Sequence, residues 1–310
     1  MTSSAPALAI ETIALTKKYA TRTVVDALDL SVPATSVTGF IGRNGAGKTT
    51  TMRMLLGLIT PTSGTGSVLG TPISRPSDYL TKVGAMIEGP SFHPTLSARD
   101  NLRVLTRLAG IDDRRIDEVL DIVELTSRAG DRFRSFSLGM KQRLGIAAAL
   151  LPDPRLLLLD EPTNGLDPPG IADIRTLIRR LADAGTTVFV SSHLLAEIEQ
   201  VCERLVVIDE GRLRYQGPLE GLTADTSHRV VIEPERPADH GHLLDVLLAD
   251  GLDARPGTGP SESTIVVHGR SGGELNRLAT AAGVTLARIE PLSTSLEHAV
   301  LELTADRKDH

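Results

Sequence analysis

Apolar and polar positions alternate with period two over Leu8–Leu15 and again over Val24–Val32, which predicts two early strands at a sheet edge. Ser36–Ile41 is a compact apolar run, a buried strand that turns through glycines into a helix over Lys48–Leu58. Leu156–Leu159 and Thr187–Ser191 are short and continuously apolar, as central parallel strands covered on both faces are. Lys82–Ile87 is strand-like too. From Glu88 to Leu151 the strand signal vanishes and helical spacing replaces it, with Leu102, Leu105 and Leu108, then Ile116, Val119, Leu120 and Val123. This predicts an all-helical insert over about 89–151. Residues 1–222 therefore read as one layered α/β domain.

Thr223–Ser227 is polar and unpatterned and is expected to be a linker. A second, smaller alternation fills 228–310: strand Arg229–Glu233, helix His242–Ala249, strand Thr264–His268, helix Glu274–Ala282 and strand Thr285–Ile289. Pro256–Pro260, with two glycines between its prolines, is expected to be its loop. Two helices against a short sheet predict a small α+β accessory domain of ferredoxin-like type.

Composition narrows the setting. The 310 residues are 41% hydrophobic and 23% charged, an ordinary globular balance, but only 3% are aromatic and none is Trp, so aliphatic side chains must fill the core. A formal net charge of −6 argues against non-specific nucleic-acid binding, which needs a basic surface. Cys202, the single cysteine, lies in the apolar run Ile198–Val201–Cys202–Leu205 and is expected to be a buried core thiol in a reducing compartment. The N-terminus lacks a basic segment and is broken by Pro6 and Glu11, unlike a signal peptide. No run approaches the ~20 apolar residues that span a bilayer, Leu144–Leu151 being the longest candidate. If the protein acts at a membrane, it is expected to do so from the side.

Three segments carry chemistry. Gly42-Arg-Asn44-Gly45-Ala46-Gly47-Lys48-Thr49, followed by Thr50, matches the phosphate-loop pattern, with a strand before it and a helix after it. Its glycines let backbone N–H groups curl around phosphate oxygens, Lys48 brings a cation to the β/γ oxygens, and the Thr49 hydroxyl suits Mg²⁺. The apolar strand at Leu156 ends in Asp160 and Glu161, placing one carboxylate to hold a metal through water and the next to polarise an attacking water. Phe136-Ser137-Leu138-Gly139-Met140 opens a helix, where Ser137 and the Gly139 N–H form a second phosphate-binding turn. Alone, these residues fit an ordinary N-cap serine equally well.

In this order and spacing, residues ~8 to ~220 resemble the ABC-type ATPases, whose fold is a P-loop NTPase core with a helical subdomain. The family's signature usually reads LSGGQ; this chain keeps Ser137 and Gly139 but has Leu138 and Met140 beside them. Asn164-Gly165-Leu166-Asp167 resembles the family's D-loop, His193 its switch histidine and Tyr19 its adenine-stacking ring. Where the family normally has Gln, this chain has Glu88, followed by Gly89 and Pro90. That segment and Ser137–Lys141 are similar to bacitracin-type and lantibiotic-immunity ATP-binding subunits. Pro291–Thr304 resembles the tail of exporter cassettes.

The resemblance implies an ATP- and Mg²⁺-dependent ATPase working at the inner face of the cell membrane, with a separately encoded permease and a second ATP-binding subunit as partners and no nucleic acid. It implies that nucleotide contacts come from Tyr19, Gly42, Asn44, Gly45, Ala46, Gly47, Lys48, Thr49, Thr50, Ser137 and Gly139. Metal ligands would be Thr49, Asp160 and Glu88, and catalysis would rest on Glu161, His193 and Glu88. Glu88 is expected near Asp160 and Glu161, on a hinge between the core and the helical insert. A soluble ABC ATPase of translation or repair usually carries two cassettes or a coiled-coil insert, and this chain has neither. Export of a drug or peptide antibiotic is favoured over import by the local similarity around Glu88 and Ser137.

Overall fold

The computed structural model describes residues 7–224, 229–257, 263–291 and 296–305. The chain divides into two compact units, Met1–Leu219 and Glu220–His310. The first unit opens with a long hairpin, β1 (Leu8–Tyr19) and β2 (Arg22–Pro33), before β3 (Val37–Ile41) runs into the glycine-rich loop and α1 (Lys48–Leu55). β4 (Ser63–Val68) and β5 (Thr71–Pro72) precede β6 (Val83–Met86). Three helices follow, α2 (Ala98–Ala109), α3 (Arg114–Ile122) and α4 (Leu138–Leu150), in the region where helical spacing replaced the strand pattern. The unit closes with β7 (Leu156–Asp160), α5 (Pro168–Asp183), β8 (Thr187–Ser192), α6 (Leu195–Glu199), β9 (Arg204–Asp209) and β10 (Arg212–Pro218), and α7 (Leu219–Ala224) follows.

Two sheets result. The larger runs β10-β9-β3-β8-β7-β6, parallel throughout except for β10 at its edge. All five positions of β3 and of β7 are buried, the physical reason their sequences are unbroken by the alternation of a half-exposed strand. The early hairpin, expected at a sheet edge, places β2 at an edge and β1 inside, in a sheet other than this one. It forms a separate antiparallel sheet of order β2-β1-β4-β5, with β1 paired on both sides. One core lies between the sheets and contains α1, whose Met52, Met54 and Leu55 are fully buried alongside Phe40, Leu158 and Phe189. Phe40 and Phe189 stack at 4.9 Å across adjacent strands β3 and β8.

Helix α1 is shorter than the apolar pattern extends, because Gly57 takes φ of 69° and ends it. The Leu55 carbonyl left at its end accepts a 2.6 Å hydrogen bond from the hydroxyl of Tyr79, a ring buried to 1% exposure. Burial pushes the Tyr79 phenol up to about 12, so it donates throughout the physiological range. Helix α4 packs close on β6: a Cβ at Gly84 would meet the Ala149 carbonyl oxygen at 2.0 Å, so only glycine permits this approach.

The second unit contains β11 (Arg229–Pro234), α8 (His240–Ala249), β12 (Asp253–Pro256), β13 (Ile265–His268), α9 (Gly272–Ala281), β14 (Leu286–Pro291) and α10 (Leu296–Ala305). Its strands lie in the order β12-β13-β11-β14 with every neighbour antiparallel, the split β-α-β-β-α-β arrangement of ferredoxin-like domains. Val230, Ile232, Leu243, Leu247, Ile265, Val267 and Leu275 make its core. β12 takes residues 253–256, so Pro256 ends a strand where a loop was expected; residues 258–260 of that expected loop lie outside the described residues. Of the expected linker, Thr223 and Ala224 belong to α7, and 225–227 lie outside the described residues. In the tail, α10 covers 296–305, and 292–295 are likewise outside the described residues.

Tyr79→Phe removes the buried hydroxyl and leaves the Leu55 carbonyl unpaired. We expect it to lower stability by about 1–3 kcal/mol, read as an earlier unfolding transition in urea with unchanged secondary structure by circular dichroism.

Candidate functional site

The site gathers at the C-terminal edge of the parallel sheet, where β3, β7 and β8 end side by side. Gly42–Thr49 leaves β3 and closes on the N-terminus of α1. Gly47 is the helix N-cap with φ of 105°, and a Cβ there would lie 2.7 Å from the Val24 carbonyl oxygen, so the loop is wedged against β2. The loop is braced further by Ala46 N bonding the Arg43 carbonyl at 3.0 Å and by Gly211 N bonding the Ala46 carbonyl at 3.0 Å. Asn44 and Gly45 stay exposed on its outer rim, and Thr50 is half-buried on α1.

Lys48 is buried to 7% exposure; its Nζ donates to the Gly42 carbonyl at 2.6 Å and lies 3.4 Å from Glu161 Oε1. The Thr49 hydroxyl donates to Asp160 Oδ2 at 2.7 Å. Asp160 Oδ1 accepts from the Ser191 hydroxyl at 2.5 Å, and that hydroxyl in turn accepts from the Glu161 N–H at 3.0 Å. His193 Nδ1 and Glu161 Oε2 are 2.7 Å apart, and since a carboxylate only accepts, Nδ1 carries the hydrogen. Lys48, Thr49, Asp160, Glu161 and His193 are thus one connected cluster, drawn from three strand ends.

The remaining expected residues lie elsewhere. Tyr19, 45% exposed at the end of β1, has Lys17 Nζ 5.1 Å from its ring centroid, and no hydrogen bond or ring contact joins it to the loop among the described residues. Ser137 caps α4 by accepting from Met140 N at 3.3 Å. Ser137 and Gly139 line an open cleft of about 640 Å³ with Gly165, Leu166, Asp167 and Arg143, separate from the phosphate loop. Arg143 clamps this region: it donates to Glu124 Oε2 at 2.9 Å and to Asp173 Oδ2 at 2.7 Å, joining α4 to α5. The Arg143 hydrogen bond holds the Glu124 carboxyl below the usual carboxylate range.

Glu88 departs from expectation. It does not join Asp160 and Glu161; its carboxylate is ion-paired with Arg53 of α1 and is 63% exposed. Glu88 and Gly89 both take positive φ, 61° and 83°, forming a sharp turn, and Arg53, five residues beyond Lys48, supplies the cation there. Among the described residues no group of three or more His, Cys, Asp or Glu side chains gathers as a metal cluster. Cys202 is buried, and burial pushes its thiol up, in keeping with an inert core residue.

Sequence reasoning passed over Ser191, Arg53 and Arg143. The signal for Ser191 was a hydroxyl closing an otherwise apolar buried strand, a position where a polar group needs a partner.

A glycine loop wedged at a helix N-terminus, a lysine inside it and a threonine bonded to the carboxylate of a neighbouring strand define a nucleoside-triphosphatase of the phosphate-loop class. Residues 25–164 match the ABC transporter family. The bacitracin transport ATP-binding protein of Bacillus licheniformis is 42% identical over 299 residues, 95% of this chain and 96% of its own length. The lantibiotic transport ATP-binding protein of Streptococcus pyogenes is 41% identical over 226 residues, 72% of this chain and 97% of its own. Among solved structures, the ATP-binding subunit of an ABC transporter shares 29% identity at a TM-score of 0.63, covering 70% of this chain and 92% of that one. A dimeric ATP-binding cassette bound to ADP and phosphate shares the fold at a TM-score of 0.61 and 23% identity, over 68% of this chain and 98% of that one. The chain belongs to the ABC transporter ATP-binding proteins: it is the transporter subunit that binds ATP and hydrolyses it.

Ser191→Ala is expected to leave Asp160 Oδ1 without its hydroxyl donor and the Glu161 N–H with the Ser191 carbonyl alone, 3.2 Å away. Steady-state ATP turnover should fall roughly tenfold, the loss of one charge-assisted hydrogen bond at about 1.5 kcal/mol, with the fold unchanged by circular dichroism.

Proposed function

We propose that the chain powers export of an amphiphilic peptide antibiotic through a separately encoded permease, as a dimer that closes on Mg-ATP at the inner face of the cell membrane. The observation that carries the cargo class is the 42% identity to a bacitracin transport protein over 95% of this chain, which extends through the second unit. No helix among the described residues is long and apolar enough to cross a membrane.

The dimer is supported by the separation of the two phosphate-binding turns. The cleft lined by Ser137 and Gly139 includes no residue of the phosphate loop, in keeping with an ATP held by both turns between two chains, most simply related by a twofold axis. Mg²⁺ suits the Thr49 and Asp160 oxygens, hard donors already 2.7 Å apart. When bound it supplies charge neutralisation across the β- and γ-phosphate oxygens. Lys48 and the loop amides of Gly45, Gly47 and Thr49 hold the phosphates, and Tyr19 stacks the adenine. Ser137 and the Gly139 amide of the second copy close over the γ-phosphate. Glu161 orients the attacking water and accepts its proton, and His193, bonded to Glu161, fixes that carboxylate and contacts the transferring phosphoryl group. Glu88 enters through Arg53, tying the hinge to the helix that carries the phosphate loop.

Glu161→Gln keeps the size of the side chain and removes the base. ATP affinity should persist, turnover should drop about 100-fold or more, and dimer should accumulate with ATP on size exclusion; wild-type turnover would refute the assignment of Glu161. For the cargo, co-expression with the cognate permease should raise resistance to bacitracin or a lantibiotic, and Lys48→Ala should abolish the gain. ATP-driven nutrient uptake with no change in resistance would overturn the export reading.

A further inference from the structure

The turns bearing Glu161 and His193 leave neighbouring strands, β7 and β8, and both are irregular. Glu161 has φ of 49°, left-handed for a residue with a side chain. His193 leads into α6, a helix of five residues whose N-cap, Leu194, provides no side-chain cap. So short a helix has too few internal hydrogen bonds to hold itself in place. Ile198 anchors one side of α6 in the core. On the other side, Glu197 Oε2 accepts a 2.6 Å hydrogen bond from the hydroxyl of Thr163, two residues beyond Glu161.

That bond is sheltered. Thr163 is buried and Glu197 half-buried, and the two side chains border a cavity of about 20 Å³ lined also by Pro162, Ile171, Arg175, Val190 and Ser192, room for roughly one water. A hydroxyl-to-carboxylate bond away from bulk water is stronger than its exposed counterpart, and either partner left alone there would carry a desolvation cost.

We propose that Thr163 and Glu197 are a positioning pair, whose hydrogen bond clamps α6, and with it His193, onto the turn that carries Glu161. The inference rests on the reading of Glu161 and His193 as the hydrolytic residues. Three links join the two turns: the Glu161 N–H to the Ser191 carbonyl at 3.2 Å and hydroxyl at 3.0 Å, His193 to Glu161 at 2.7 Å, and Thr163 to Glu197 at 2.6 Å. The His193–Glu161 link is made by the two reacting groups themselves. The Thr163–Glu197 link touches neither reacting group, so it persists through turnover and returns His193 to the same place each cycle.

The test uses the full chain, measuring steady-state ATP hydrolysis and ATP affinity by equilibrium titration. Thr163→Val removes the hydroxyl at nearly constant shape. It should lower kcat roughly tenfold or more, because small misplacements of a catalytic group are costly, while ATP Kd stays within about twofold. Thr163→Ser should restore kcat. Glu197→Gln, which keeps an acceptor oxygen, should stay near wild type, and Glu197→Ala should match Thr163→Val. The double substitution should be no worse than either single one, and in a His193→Ala background Thr163→Val should add no further loss. A purely structural role would not produce that last result. Wild-type kcat in Thr163→Val, or a further loss on top of His193→Ala, overturns the proposal. Should Thr163→Val fail to fold, equal kcat in Glu197→Gln and Glu197→Ala overturns it instead. Wild-type turnover in Glu161→Gln would refute the underlying assignment rather than the clamp, so the two failures are distinguishable.

Discussion

Everything in the cassette is arranged around two adjacent carboxylates, Asp160 and Glu161, standing at the end of a strand buried along its whole length. Carboxylates at such a place need donors on every side, and the fold supplies them from separate elements: Lys48 and Thr49 from the start of α1, Ser191 and His193 from the end of β8. This requirement explains why β3 must lie beside β8, and β8 beside β7, with all three parallel. Only then do three strand ends deliver loop, carboxylates and histidine to one edge, the edge at which open α/β sheets bind ligands.

How much of this was legible depends on whether the information was local. The phosphate loop, the four leucines before Asp160 and the helical spacing of the insert are short-range patterns, and each marks an element that exists. The hairpin of β1 and β2 was legible as strands, but which sheet they join depends on β4, whose sequence of small polar residues carries no apolar alternation. β12 escaped notice because it is four residues long, mostly exposed and ends in proline, which an edge strand tolerates.

The same division holds within the site. Lys48, Thr49, Asp160, Glu161 and His193 were all named from sequence, and the structure brings them within hydrogen-bond or ion-pair reach of one another. Glu88 was assigned by analogy of position, and its partner turned out to be Arg53, a pairing that no local pattern encodes. Ser191 and Thr163 were missed for a different reason: a hydroxyl's role is set by which acceptor lies within 3 Å of it, here on segments some thirty residues away.

The close packing of α4 on β6, where Gly84 leaves room for the Ala149 carbonyl, gives α4 the character of a lever. Ser137 lies twelve residues from Ala149, about 18 Å along the helix axis at 1.5 Å per residue. Between those points α4 is a continuous helix, and at Gly84 no side chain stands between strand and helix to absorb a shift by changing rotamer. A displacement of β6 is therefore delivered to the far end of α4 with little damping. Force applied where the helical insert meets the core would arrive at the Ser137 turn as movement rather than as local compression.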